Sequence, residues 1–346
     1  MPHRARPLPG NSGTDTFFRR ERKVSVPELP ELPAKKGICP RICRQAVLAV
    51  HPGALGDVVL FGHLLAATEG RATLVAGGEK ARLLTGMGVV AAGLDFDSLP
   101  MHEVFSDAPA PQCRLPGLLG RHDRLISCFA GGDARAERRL AELCGVSDAA
   151  YLPTRPPAGF DGHLTDLWAG MLNMPQPLPT RPWAVPPAWR EQAARALGGL
   201  GVDVGRAYVA IHPGAGAEAK CWPLEGFLDV AAGLRRKGAQ AVFLLGPVER
   251  DRWRDGRIER LGREGPVLAE ASAEELAGVL AGAAAYAGND SGTSHLAAAV
   301  GTPTVAIFGA TSPVHFRPLG PRVQTIAADR LADIPPGRVL DALAIS

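Results

Sequence analysis

Three glycine-bearing stretches carry the residue types that could do chemistry. The first is Val50-His51-Pro52-Gly53-Ala54-Leu55-Gly56-Asp57. An apolar run ends, Gly53 and Gly56 let the backbone turn tightly and approach a ligand, and an acid arrives where a helix should begin. Asp57 can cap that helix or take a proton from a nucleophile in a cleft. The stretch is neither a phosphate loop, since no Gly-Lys-Ser/Thr follows, nor a GxGxxG turn. The second is His212-Pro213-Gly214-Ala215-Gly216, followed by Lys220 and Trp222-Pro223. Proline suits the first residue of a helix, so Lys220 lies just ahead of a helix start. An ammonium, unsatisfied N–H groups and the helix dipole converge there, which favours phosphate. The third is Gly288-Asn289-Asp290-Ser291-Gly292-Thr293-Ser294-His295-Leu296. Small polar residues again join an apolar run to an Ala-rich helix, and amides from Ser291 to Ser294 would point at an anion. Asp290 can cap that helix, and His295 can be a packed histidine. Together the second and third stretches read as two halves of one diphosphate cradle.

Other candidates are weaker. Glu249 follows an apolar run ending Leu244-Leu245-Gly246, where an acid can accept from ribose hydroxyls or be a solvated helix acid. Asp95-Phe96-Asp97 fits the loose Asp-x-Asp pattern of metal-dependent sugar transfer, but nothing nearby supplies a nucleotide site. The six cysteines form no CxxC pair and no two pairs at zinc spacing, Cys39 and Cys43 lacking a matching second pair, so reduced thiols and no metal are expected.

The elements that must hold these stretches follow from periodicity. Short apolar runs at 46–51, 72–76 and 125–129 alternate with helical patterns at 58–68, 79–85, 134–144 and 161–172. Six prolines then fall within 174–187, too dense for a core helix or a central strand, so this is the linker. Beyond it, strands are expected at 207–212, 241–245, 266–268, 284–287 and 304–308, with helices at 223–236, 249–261, 273–281 and 292–300. Strands separated by helices mean parallel sheets. The expected architecture is α/β, with two doubly wound Rossmann-like domains facing across a cleft. Domain one spans 46–173 and domain two 188–346, each binding ligands at the carboxyl ends of its strands.

Residues 1–45 differ. They hold ten Lys/Arg against four acids and are rich in proline, which predicts a disordered basic extension and a weak electrostatic tether to anionic lipid. With aromatics at 5%, nucleic acid is not an expected partner. No apolar run reaches the ~18 residues that span a bilayer, and the first 45 residues lack a signal-like apolar region. A cytoplasmic protein with peripheral contact at the inner membrane is expected.

The three stretches, in this order, resemble glycosyltransferase family 9, the ADP-heptose:lipopolysaccharide heptosyltransferases. The resemblance rests on Gly53 to Asp57, His212 to Ala215, Lys220 to Pro223, Gly288 to Gly292, His295-Leu296 and Gly301 to Gly309. It covers about 46–344 and is dense over 208–320. It implies a GT-B fold and metal-independent, inverting transfer of heptose from ADP-heptose to the lipopolysaccharide inner core, with no cofactor. The first domain would hold the acceptor and the second the ADP-sugar. Asp57 would be the general base, with Gly53 and Gly56 in its acceptor-side loop. The donor would meet Gly214, Lys220, Glu249, Asp290, Ser291, Gly292, Thr293 and His295. The ending Ile334 to Leu340 resembles the family's final helix, which would pack back on the first domain. His51-Pro52 departs from the family, which more often has a basic residue and no proline there. Two other readings of the residues stay open: a nucleotide-sugar epimerase or NAD-type oxidoreductase, which would turn over a sugar nucleotide without an acceptor, and a non-catalytic ADP-sugar binder.

Overall fold

The computed structural model describes residues 45–67, 71–253 and 256–345. The expectations for the basic extension, and for Cys39 and Cys43, lie outside the described residues. The described residues cluster as one unit that contains two parallel sheets.

The first sheet is assembled from β1 (Val47–Val50), α1 (Leu55–Ala66), β2 (Ala72–Ala76), α2 (Gly78–Gly86), β3 (Ala92–Asp95), α3 (Leu115–Leu119), β4 (Arg124–Ser127), α4 (Ala134–Cys144), β5 (Asp148–Tyr151) and α5 (Leu164–Met171). Its strand order is β3-β2-β1-β4-β5, all parallel. β1 is buried along its whole length, as expected of a strand covered on both faces. Val58 to Leu65 of α1 are also buried without a break. A helix apolar all round belongs between two layers, and α1 packs on α5 on one side and on a helix of the second half on the other. α4 shows the opposite pattern. Asp133 caps it by accepting from the N–H groups of Arg135 and Ala136, and Gly145 ends it at φ 65°, a left-handed stop that glycine takes without strain.

The second half runs α6 (Pro187–Gly199), β6 (Tyr208–His212), α7 (Leu224–Arg236), β7 (Gln240–Leu244), α8 (Pro247–Arg252), α9 (Arg257–Glu264), β8 (Val267–Leu268), α10 (Ala273–Gly282), β9 (Ala285–Asn289), α11 (Gly292–Ala299), β10 (Thr304–Phe308), α12 (Pro313–Phe316), β11 (Val323–Ala327) and α13 (Pro336–Ala342). Its order is β11-β10-β9-β6-β7-β8. In each sheet the connections reverse direction beside the first strand, between β1 and β4 and between β6 and β9. All three motif loops therefore leave carboxyl ends at switch points, after β1, β6 and β9, where open α/β sheets bind ligands.

Several expectations change. The final helix packs on α7 and not on the first half. Val339 and Leu343 join the apolar cluster of the second sheet, and Leu340 Cδ2 lies 2.5 Å from where a Cβ on Gly233 would stand. The groove that Gly233 leaves in α7 takes this helix before it can cross back. The single helix expected over 249–261 is two, α8 and α9. β3, β5, β11 and α6 were not expected, because each is short or half-exposed and lacks a clean period. Between the halves, Trp183 donates its N–H to Ala299 O at 2.8 Å and lays its ring on His63, with centroids 4.9 Å apart.

Candidate functional site

A cavity of about 530 Å³ opens at the carboxyl ends of both sheets. From the first half, Gly53, Gly56 and Asp57 line it. From the second come Lys220, Asp290, Ser291, Gly292 and His295. Eight residues singled out in the sequence thus share one space. Gly214 and Glu249 line an adjoining cavity of about 370 Å³, on the other side of the loop after β6. Thr293 is buried and lines neither.

Asp57 is not a cap. α1 begins at Leu55 with Ala54 at its N-cap, leaving Asp57 in the first turn, where the helix dipole favours an anion. Its half-buried carboxylate faces the cavity. Asp290 is not a cap either. Ser291 precedes α11, and the Asp290 carboxylate is committed elsewhere: Oδ2 accepts from Lys220 Nζ at 2.7 Å and from Thr311 Oγ1 at 2.5 Å, with His295 Nε2 3.9 Å from Oδ1. Burial pushes the Asp290 carboxyl up, but those partners outweigh it and hold the group well below the usual carboxylate range. An ammonium has three N–H donors. Asp290 orients the Lys220 ammonium with one and leaves two for a ligand.

The starts of α1 and α11 meet at this cavity. A Cβ on Gly292 would stand 2.8 Å from Leu55 Cβ and 3.1 Å from Gly56 N, so only glycine permits the approach. Neither helix has a side-chain cap bond. Two positive helix ends thus face one space, an arrangement that an anion stabilises.

Buried Asn289 joins the second and third motifs. Its Oδ1 accepts the Trp222 N–H at 2.9 Å, and its Nδ2 donates to Pro213 O at 2.8 Å and Gly214 O at 3.3 Å. Glu249 accepts the Gly246 N–H at 2.8 Å, and His212 Nε2 lies 3.7 Å away. Burial pushes the Glu249 carboxyl up, but His212 and that amide more than offset it and leave it lowered. A Cβ on Gly214 would stand 2.0 Å from Glu249 Oε1, whereas one on Gly216 meets nothing within 4 Å. Gly214→Ala is therefore expected to displace Glu249 and cost about 1–3 kcal/mol, with Gly216→Ala near neutral. Melting curves of the two variants check this.

Sequence reasoning missed Arg155 and Thr311, which also line the main cavity; Cys128, which lines it too, opens the stretch after β4 that departs from the family's more acidic strand end. Arg155 follows β5, a strand the periodicity did not reveal. Thr311 lies three residues past β10, and the rule applied to the other strand ends would have found it. The Asp95 side chain accepts the Asp97 N–H at 3.2 Å in a turn after β3, a structural use of that motif. Among the described residues, no group of three or more His, Cys, Asp or Glu side chains could hold a metal ion, and no helix is long and apolar enough to cross a membrane.

Two doubly wound halves with ligand loops at both switch points define a GT-B fold. Solved structures agree on that fold: a glycosyl transferase family 9 protein from Veillonella parvula DSM 2008 has a TM-score of 0.72 at 18% identity, covering 86% of this chain and 96% of that one. The E. coli ADP-heptose lps heptosyltransferase II has 0.65 at 20% identity, over 86% and 97%. The model of glycosyltransferase family 9 (heptosyltransferase) matches residues 163–335, and the chain belongs to that family. Lipopolysaccharide heptosyltransferase 3 of Escherichia coli is 35% identical over 136 residues, 38% of this chain and 39% of that one. The chain spans about two fifths of the length of the curated relatives it matches.

Proposed function

We propose that this chain transfers heptose from ADP-heptose to a hydroxyl of the lipopolysaccharide inner core, with inversion and without a metal. The observation that carries the proposal is that Asp57 from one half, and Lys220 with the start of α11 from the other, line a single cavity. Family membership and the names of its relatives supply the sugar, the nucleotide and the acceptor class.

The acceptor oxygen attacks the anomeric carbon from the Asp57 side. The bond from that carbon to the diphosphate oxygen breaks, the electron pair leaves with ADP, and the acceptor proton passes to the Asp57 carboxylate. One displacement inverts the anomeric centre. Negative charge grows on the leaving diphosphate, and the free Lys220 N–H donors and the helix amides are already aimed at it, so little reorganisation is needed. Asp290, held as an anion, is suited to accept from sugar hydroxyls. Glu249, across the loop, is suited to the ribose.

The test is ADP release from ADP-heptose with a lipopolysaccharide-core acceptor in excess EDTA, with the anomer of the product read by NMR. No release, release that needs a divalent cation, or a retained anomer would each overturn its part of the proposal. Lys220→Ala is expected to weaken ADP binding about ten- to a hundredfold, the worth of a charge-assisted contact of ~1.5–3 kcal/mol. Calorimetry with ADP measures it, and an unchanged dissociation constant would confine Lys220 to its pair with Asp290.

A further inference from the structure

The turn that delivers Asp57 is built on one side chain. His51 directly follows β1 with 1% of its surface exposed, and its Nδ1 accepts the Gly53 N–H at 3.0 Å. This is the bond across two residues that Asn and Asp make in Asx turns. With Nδ1 as acceptor the imidazole proton must sit on Nε2, and Nε2 has no hydrogen-bond partner. The ring packs against Phe61 and Trp168, with centroids 5.3 Å and 6.4 Å away. Burial, only partly offset by the Asp57 charge, lowers His51 to about 4, so Nδ1 remains an acceptor at neutral pH. Lys80 Nζ donates to the Gly53 carbonyl at 2.7 Å and so holds the next peptide group of the same turn. A Cβ on Gly53 would stand 2.5 Å from His51 Cε1 and 3.2 Å from Asp57 Oδ2. The His51 ring and the Asp57 carboxylate thus both flank the open side of Gly53.

A phenyl or leucyl side chain would fill the space beside Phe61 and Trp168 without burying an unpartnered N–H. What the imidazole adds is the acceptor. Only residues 51–54 separate β1 from α1, so the direction of the Gly53 peptide decides where the first turn of α1 begins. We propose that His51 is a positioning residue for the transfer reaction: its Nδ1, by holding the Gly53 N–H, sets the turn that places the Asp57 carboxylate in the cavity. The proposal rests on Asp57 being the base.

His51→Phe, His51→Leu and His51→Asn test it, assayed for kcat, donor KM and melting temperature. Phe and Leu keep apolar bulk and lose the acceptor. Asn loses bulk but can close the same turn through its own carbonyl. Expected is a fall in kcat of about ten- to a hundredfold in His51→Phe, with donor KM and melting temperature close to wild type. His51→Asn should recover most of that loss although it melts lower, so the rate follows the hydrogen bond and not the stability. A kcat order that follows melting temperature, or a fully active His51→Phe enzyme, overturns the proposal. If His51→Phe does not fold, the comparison of Leu with Asn reads the same way. Asp57→Asn is measured alongside. If it is active, the base assignment fails. If it is inactive while the His51 variants rank by stability, only the positioning role fails.

Discussion

Asp57→Asn is expected to bind ADP-heptose as tightly as the wild type and to lose about 10²–10⁴-fold in turnover, the range of a general base. The substitution changes little besides the proton. Asn is nearly isosteric with Asp, and at this position no cap is lost, because Ala54 occupies the N-cap. The dipole contribution of an acid in the first turn does disappear, at about 0.3–1 kcal/mol, so a small drop in melting temperature is part of the expected result. Donor affinity is insulated because the second half supplies Lys220, Asp290 and the start of α11. ADP release at saturating donor, with a melting curve in ADP as control, separates the outcomes. Wild-type turnover in the Asn enzyme would remove Asp57 from the chemistry.

Acid should unfold this protein steeply below neutrality. Burial lowers His51 to about 4, His63 to about 3 and His163 to about 4. Unfolded, each would take a proton near pH 6.5. Between those values the unfolded chain binds more protons than the folded one, so stability is complete above about pH 6.5 and falls as pH drops toward 4. Over the first unit below 6.5 the three groups together cost about 3 kcal/mol, or roughly 5–10 °C in melting temperature. Asp290 adds nothing in this window, since its lowered carboxyl is ionised in both states there. Melting curves from pH 8 to 5 read the slope. His63→Phe, which keeps a ring against Trp183, should remove about one of the three protons from it. A flat profile would mean that these imidazoles are not held neutral.

The chemistry was legible where residue type and backbone requirement coincide. Gly53 and Gly292 sit where a Cβ would collide and Gly56 where one would be tight, and each lies beside an acid or an amide-rich helix start, so sequence alone could bring them together. Lys220 was legible as a cation ahead of a helix. Its partner was not, because no local rule pairs residues 70 positions apart, and Asp290 read as a cap when it is the other half of an ion pair. β6, β9 and β10 announced themselves as fully buried runs. β3 and β5 are half-exposed edge strands whose composition says little, and with β5 went Arg155. The final helix was misplaced for a related reason. Its apolar residues require a groove, but only packing shows that the groove is the one at Gly233.

Recombining this chain with a relative must respect the Asn289 amide. Its oxygen and nitrogen tie Trp222, Pro213 and Gly214 to the end of β9, so two segments far apart in the chain share one set of hydrogen bonds. A crossover placed between them separates a lock from its key and leaves buried groups on both sides without partners. Residues 208–222 and 285–296 are therefore exchanged together, inherited as a single part although the chain writes it in two places.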